Sequence, residues 1–218
     1  MTGVVETEVA GERVVLLAER ALFRPATGEL LVADAHWGKA ATFRAAGIAV
    51  PGGTTAEGLA RLDAALERTG AEEIVFLGDL FHARQGKSAA VLAEVRGWRA
   101  RHPALRLTLV RGNHDRGAGD PPPDLGFRVA DPPLPSAPFV YAHHPEPDAR
   151  GYVLAGHVHP AAILRGRGRA RERLPCFHFG ADVGILPAFG AFTGAATVAP
   201  LPGDRVFVVA GDEVLRAG

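Results

Sequence analysis

Five short apolar runs in this chain stop in the same manner. Ile74-Val75-Phe76-Leu77 ends at Gly78-Asp79, with His82 three residues on. Leu30 to Ala33 ends at Asp34-Ala35-His36, and Leu105 to Val110 at Arg111-Gly112-Asn113-His114-Asp115. Phe139 to Ala142 ends at His143-His144-Pro145, and Tyr152 to Ala155 at Gly156-His157-Val158-His159. Apolar runs of this length, closed by glycine, proline or polar residues, read as buried strands. Open α/β sheets gather their ligands outside the carboxyl ends of their strands. A fold with one chemically loaded edge is therefore expected. Seven of the nine histidines fall in these endings, a concentration that random placement does not give.

The stretches between the runs read as scaffold. Thr54 and Glu57 have capping-box spacing, and Leu59, Leu62 and Leu66 recur at helical intervals up to Thr69, before Gly70. Ser88 is expected to cap a helix reaching about His102, with Val91, Leu92, Val95 and Trp98 on its buried face. A shorter helix from Gly38 to Ala46 carries Lys39, Phe43 and Arg44. Gly38-Lys39 lacks the upstream glycine and following Ser/Thr of a P-loop. Lys39 and Arg44 could reach a phosphate near the site, but a solvated helix face accounts for each of them better. Val14 to Leu17 and Ala21 to Phe23 read as an opening meander; 126–130, Leu174 to Phe179 and Val206 to Ala210 read as further strands. His178, inside an apolar strand, reads as a core histidine. His102 reads as a surface residue at a helix end, where positive charge suits the dipole.

Composition excludes several classes. The 218 residues, 47% hydrophobic and 22% charged, fit one soluble domain over residues 1–218, without repeats or low-complexity segments. Net charge is zero, so the overall field does not select a polyanion. Cys176 is the one cysteine, which excludes an intramolecular disulfide and thiolate zinc clusters and fits a reducing compartment. Met1 to Glu12 carries Glu6, Glu8 and Glu12 rather than a basic and apolar leader, so a cytoplasmic location is expected. The uncharged stretch 183–203 holds three prolines and several glycines and reads as loops and short strands, not as a membrane span. Arg165, Arg167, Arg169, Arg171 and Arg173 alternate with other residues. On a strand they would line one face, suited to a phosphodiester backbone or to a solvated edge guarded against pairing.

The endings supply DxH, GDxxH, GNHD, H and GHxH. Residues two apart on an extended segment point the same way, so Asp34 with His36, and His157 with His159, can each face one point. Carboxylate, imidazole and amide donors without thiolate suit manganese, iron or zinc. Two divalent ions together polarise a phosphoryl group and hold the attacking and leaving oxygens in line. Asp79 reads as the carboxylate between such ions, one oxygen on each. In Asn113-His114-Asp115 the imidazole has a possible carboxylate orienter beside it.

In this order the motifs resemble the calcineurin-like metallophosphoesterase superfamily from Leu31 to His159. The resemblance implies a four-layer αββα sandwich, two mixed sheets flanked by helices. It puts Asp34, His36, Asp79 and His159 around one metal, and Asp79, Asn113, His143 and His157 around the other. It puts His114 beside the substrate as general acid or transition-state donor, oriented by Asp115, with Arg111 at the phosphate. His143 is preferred to His144 because the family's histidine directly follows its strand. A narrower resemblance is to the ligase-associated DNA damage response endonucleases (PdeM). It is carried by Ala33-Asp34-Ala35-His36-Trp37-Gly38-Lys39, Phe43-Arg44-Ala45-Ala46-Gly47, Leu77-Gly78-Asp79-Leu80-Phe81-His82, Ala142-His143-His144-Pro145 and Leu186-Pro187-Ala188-Phe189-Gly190. His178 departs from the aromatic residue expected after Cys176-Phe177. This likeness implies a bacterial, Mn²⁺-favouring endonuclease acting on single-stranded DNA, beside a DNA ligase and a helicase. The alternative is a phosphatase or phosphodiesterase of nucleotides or other small phosphoesters. A binding scaffold without catalysis is a third class, but such members are expected to lack ligands, and here every position is filled.

Overall fold

Alternation along the early strands builds two cores at once. In the computed structural model, which describes residues 3–50, 52–165, 171–191 and 193–217, the first seven strands form one sheet in sequence order. They are β1 (Val4–Val9), β2 (Glu12–Leu17), β3 (Leu22–Arg24), β4 (Glu29–Val32), β5 (Glu73–Leu77), β6 (Arg106–Val110) and β7 (Phe127–Ala130). Neighbours are antiparallel up to β4 and parallel from β4 to β7. The second sheet holds β8 (Leu134–Ser136), β9 (Phe139–Tyr141), β10 (Tyr152–Ala155), β11 (Pro160–Arg165), β12 (Arg171–Phe179), β13 (Val183–Ile185), β14 (Ala196–Thr197), β15 (Arg205–Ala210) and β16 (Glu213–Ala217). Its order is β14-β11-β12-β13-β10-β9-β8, with β15 on β12 and β16 on β15. Here β9, β10 and β13 run parallel, while β8, β12, β15 and β16 are antiparallel to their neighbours. The α/β class with two mixed sheets is the one the resemblance implies.

Four helices accompany the sheets: α1 (Lys39–Ala45), α2 (Thr54–Thr69), α3 (Ala89–Arg101) and α4 (Asn113–Ala118). Leu30, Val32, Ile74, Phe76, Leu107 and Leu109 face them and pack on Leu59, Leu62, Val95 and Trp98. The alternate residues Leu31, Val75, Leu77 and Val110 face the second sheet and meet Tyr141, Leu154, Phe177, Phe179 and Phe207. Side chains alternate across a strand, so one sequence period serves both interfaces. Beyond the second sheet, Val140, Ala142, Val153 and Ala155 form a small cluster. Cys176, Val206 and Val208 form another, with Ala162 and Leu164 of β11.

Arg24 ties the sheets together. Its side chain is fully buried, and its guanidinium donates to Glu12 (2.7 and 2.9 Å), Glu29 (2.8 Å) and Ser136 (2.8 Å), and to the Tyr141 hydroxyl. That hydroxyl in turn donates to Glu29 over 2.7 Å. A buried cation is tolerated only when its charge and donors are matched in this way.

Several sequence expectations change here. The Ser88 cap forms, accepting from the Val91 amide at 3.3 Å, and Leu92 packs only partly buried. The Thr54 capping box does not form: Thr54 is already helical, and the cap is Gly53 in the left-handed conformation. β1 occupies the opening stretch, to which no element was assigned, because Glu6 and Glu8 alternate with residues that face the sheet. α4 begins at Asn113, directly after the strand ending, where no helix was expected. Within 183–203, β13 and the buried Leu186, Ala188 and Phe189 replace any continuous helix. No described helix is long and apolar enough to cross a membrane.

Candidate metal centre

The parallel strands β4, β5 and β6 of one sheet, and β9 and β10 of the other, bring five loops to one edge. Backbone pairing continues past the strand ends and fixes these loops. The Asp34 amide donates to the Gly78 carbonyl (3.3 Å), His36 to Asp79 (2.9 Å) and Trp37 to Leu80 (2.8 Å). The Leu186–Gly190 segment crosses over from the second sheet. Phe189 donates to the Ala33 carbonyl (2.8 Å) and Gly190 to that of Asp34 (3.0 Å), which gives that glycine-ended motif a physical role. A side chain at Gly112 would collide with the Asp79 carboxylate and the His143 ring, and one at Gly156 with the Asp34 carboxylate.

Five of the expected ligands hold left-handed backbones: Asp34 (φ 54°), His36 (46°), Asp79 (54°), His157 (70°) and His159 (53°). Each costs about 1–2 kcal/mol for a residue with a Cβ. Such strain, gathered at one place and held by surrounding contacts, is characteristic of preorganised sites.

The side chains converge as the sequence implied. Asp79 Oδ2 lies 3.8 Å from His36 Nε2 and 3.5 Å from His143 Nε2, between the two expected ligand sets, while Oδ1 accepts from the His114 amide at 2.9 Å; one oxygen faces both sets, in place of the expected one oxygen on each. On one side, His159 Nε2 is 3.5 Å from Asp34 Oδ1. On the other, His143 Nε2 is 2.9 Å from Asn113 Oδ1 and 3.1 Å from His157 Nδ1. His143 Nδ1 sits 3.0 Å from the Leu77 carbonyl, which fixes the proton on that nitrogen and leaves Nε2 as a lone pair. A lone pair facing an amide oxygen and two further acceptors calls for a cation. Asp34 Oδ1 makes the same demand: it is buried and has no hydrogen-bond donor among the described residues, while Oδ2 accepts from the His157 amide at 2.8 Å. Ligand atoms of Asp34, His36 and His159, and of Asp34, Asp79 and His143, lie within 4.8 Å of one another. The donor set fits two divalent ions with Asp79 between them.

Electrostatics agree. Burial raises the Asp79 carboxyl, and the neighbouring Asp34 charge raises it further. Burial, then Lys39 and the neighbouring histidines, lowers His36 to about 2, and burial lowers His143. Two crowded carboxylates beside neutral imidazoles form a cage for positive charge. The cage opens from the buried Asp34, Asp79 and His143 to the exposed Asn113 and His157.

The structure corrects three roles. Asp115 does not orient His114. Its Oδ2 accepts from the Asp79 (2.7 Å) and Gly112 (2.8 Å) amides and its Oδ1 from that of Leu80 (3.0 Å), so it braces the loops that carry the ligands. The partner of His114 Nδ1 is instead the His82 carbonyl at 2.7 Å, and the two rings stack at 4.8 Å. Arg111 is not presented to a phosphate: it grips Asp120 through two bonds of 2.8 Å and Asp131 through another of 2.8 Å. His102 is half-buried and bonded to Asp63 (2.8 Å) rather than free at the surface. His178 is satisfied by Asp204 at 2.6 Å but is half-buried rather than in the core.

His82 and Lys87 carried no assigned role in the sequence. The GDxxH spacing flagged the first; nothing local flagged the second. Lys87 Nζ donates to the carbonyls of Ala118 (2.9 Å), Gly119 (2.7 Å) and Asp120 (2.7 Å), closing the end of α4. Lys39 is half-buried at the start of α1, and its charge is felt by His36, His82 and His159. His144 is exposed and packs on His157, ring centres 4.2 Å apart, so His143 is the histidine that reaches Asp79. Arg167 and Arg169 lie outside the described residues.

No family model matches the chain, and no curated protein sequence does. Among solved structures, it is similar to Pseudomonas putida nuclease MPE, at 43% identity and a TM-score of 0.87, covering 98% of this chain and 100% of that one. A phosphoesterase from E. coli, Yfce, matches far more loosely, at 16% identity and a TM-score of 0.39 over 84% of this chain and 88% of that one. A protein of unknown function from Aquifex aeolicus does so at 18% identity and a TM-score of 0.39, over 65% and 82%. The full-length match to the Pseudomonas putida protein meets a ligand cage that the residues build independently: the chain belongs to the calcineurin-like metallophosphoesterases, in their ligase-associated nuclease subfamily, and is a metal-dependent phosphoester hydrolase.

Proposed function

We propose that this chain is an endonuclease that cuts single-stranded DNA and works best with Mn²⁺. The observation that carries the reading is the position of Asp79 Oδ2 between His36 and His143. The similar Pseudomonas putida protein, described as a nuclease, supports the substrate class. Asp34, His36, Asp79 and His159 would hold one ion, and Asp79, Asn113, His143 and His157 the other. When bound, the pair would polarise the phosphoryl group and align attacking and leaving oxygens. Iron or zinc would suit the same donors, and manganese is preferred on the family resemblance.

The chain's own groups do the remaining work. His114 Nδ1–H donates a hydrogen bond to the His82 carbonyl. Its Nε2, 3.9 Å from Asp79 Oδ2, is then the atom that meets substrate. Its role there is to donate from Nε2 to the phosphate or leaving oxygen. Stacking on His82 holds the ring at that angle. We extend the proposal to a cytoplasmic repair role beside a DNA ligase and a helicase, which the family resemblance supports.

Cleavage of single-stranded oligonucleotides with Mn²⁺, alongside the Asp79→Ala and His114→Ala proteins, tests the reading. Metal-dependent cutting lost in both variants is expected. Rapid hydrolysis of nucleotides or other small phosphoesters without any DNA cutting would replace the nuclease with a small-molecule phosphoesterase.

A further inference from the structure

A cleft of about 430 Å³ leads away from the metal centre, beginning at His159. Three arginines from distant parts of the chain line it: Arg20 from the turn between β2 and β3, Arg61 from α2 and Arg173 from β12. None of the three is in ion-pair contact with a carboxylate among the described residues; Glu57, which also lines the cleft, and Glu19 attract Arg61 at longer range. Arg20 is half-buried on a left-handed backbone (φ 61°), and the Arg61 charge bears directly on it. Arg61 is held by the Phe189 carbonyl at 2.5 Å and lies 5.2 Å from the centre of that ring. Phe189 belongs to the segment that braces Asp34, so the cleft and the metal site share a wall. A fold that keeps two guanidinium groups half-buried along one cleft, beside a candidate cation site, is arranged for an anion.

The cleft also has an exit. In the β11–β12 hairpin, Ala161 pairs with Pro175, Ile163 with Arg173 and Arg165 with Arg171. The intervening Ala162, Leu164 and Leu174 pack inward with Cys176. Ala161 and Pro175 line the cleft, and Ile163, Arg171 and Arg173 are exposed on the same face beyond them. An apolar side chain between arginines suits a strand with exposed bases and a charged backbone.

We propose that this cleft is a second phosphate subsite, taking the backbone phosphate of a nucleotide adjacent to the scissile one, with the strand continuing over the hairpin face past Ile163 and Arg171. The proposal rests on the nuclease reading. A substrate with a single phosphodiester gains nothing from the subsite, whereas an oligonucleotide does.

The test compares a single-stranded oligonucleotide with bis(p-nitrophenyl) phosphate, which has one phosphate, in the Mn²⁺-loaded protein and its Arg20→Gln, Arg61→Gln and Arg173→Gln variants. The oligonucleotide KM should rise about tenfold while its kcat falls far less, and the slope of log KM against log salt should shrink by about one per arginine. The small diester should lose much less kcat/KM than the oligonucleotide. Equal losses on both substrates, or an unchanged oligonucleotide KM and salt slope, would overturn the subsite. Arg173 is exposed, so its variant reads out the proposal even if those of the half-buried arginines unfold. If the wild-type protein hydrolyses the small diester but no oligonucleotide, the nuclease reading itself fails, a result distinct from the failure of the subsite.

Discussion

At the scale of single residues, one carboxylate oxygen matters most. Asp79 Oδ2 is shared between the two ligand sets, so Asp79→Asn should reduce occupancy at both ions and cut kcat/KM by about 10³-fold, some 4 kcal/mol of transition-state stabilisation. Metal analysis beside kinetics checks this. Asp115→Asn should act differently. Its two oxygens accept three backbone N–H groups, and an amide NH₂ in place of one oxygen would face a donor with a donor. A loss of about 1–3 kcal/mol is expected from the unmet group, measured by denaturant unfolding. If Asp115 instead oriented His114, stability would hold and the pH profile of turnover would move. The convergence of these side chains was legible because their types and spacings recur after apolar runs. Asp115, Arg111 and His82 were not, because a polar side chain's partner depends on loops brought in from elsewhere. Asp120 and Asp131 claim Arg111 across such a gap.

At the scale of elements, α4 shows most clearly how tertiary contacts decide local structure. It has six residues, far fewer than an isolated helix needs, and its sequence is rich in turn formers. Asp115 braces its first turn and Lys87 closes its last. Lys87→Met should leave three carbonyls without their cation, lower stability by about 1–3 kcal/mol and reduce turnover through displacement of Asn113 and His114. An unchanged melting temperature with normal turnover would contradict this. Helices α2 and α3 were legible from their apolar spacing, but not the clasp between them. Asp63 of α2 accepts from Trp98 (2.6 Å), Arg101 (2.9 Å) and His102 (2.8 Å) on or just beyond α3. Burial works to raise its carboxyl, but those three bonds bring it below its ordinary value of 3.8. A folded-state pKa below the unfolded one stabilises the fold above the unfolded value, and the contribution disappears as pH falls through the depressed range. Stability should therefore decline below about pH 4, and Asp63→Asn should flatten part of that decline. Denaturant midpoints measured across pH 2–6 decide it, and an identical acid limb in the variant would refute the clasp.

At the scale of the whole molecule, period-two alternation made the layers legible, and the five endings foretold a common edge. Sheet order and the placement of β11 to β16 were not legible, since strand pairing is set by long-range packing rather than by any one strand. Nor was the link between the sheets. Arg24 is one residue in a three-residue strand, yet it joins Glu12 and Glu29 of one sheet to Ser136 and Tyr141 of the other. Arg24→Ala should cost about 3 kcal/mol by leaving two partly buried carboxylates unpaired, visible as a large loss of denaturant midpoint. Since the proposed metal cage draws side chains from both sheets, weaker docking of the sheets should also weaken metal retention.

The central claim is that both halves of the fold contribute to one dinuclear centre joined by Asp79. Anomalous X-ray diffraction from crystals grown with Mn²⁺ tests it most directly. Two peaks are expected, on either side of Asp79, one beside Asp34, His36 and His159 and the other beside Asn113, His143 and His157. A single peak away from Asp79, or none at saturating metal, would contradict the account.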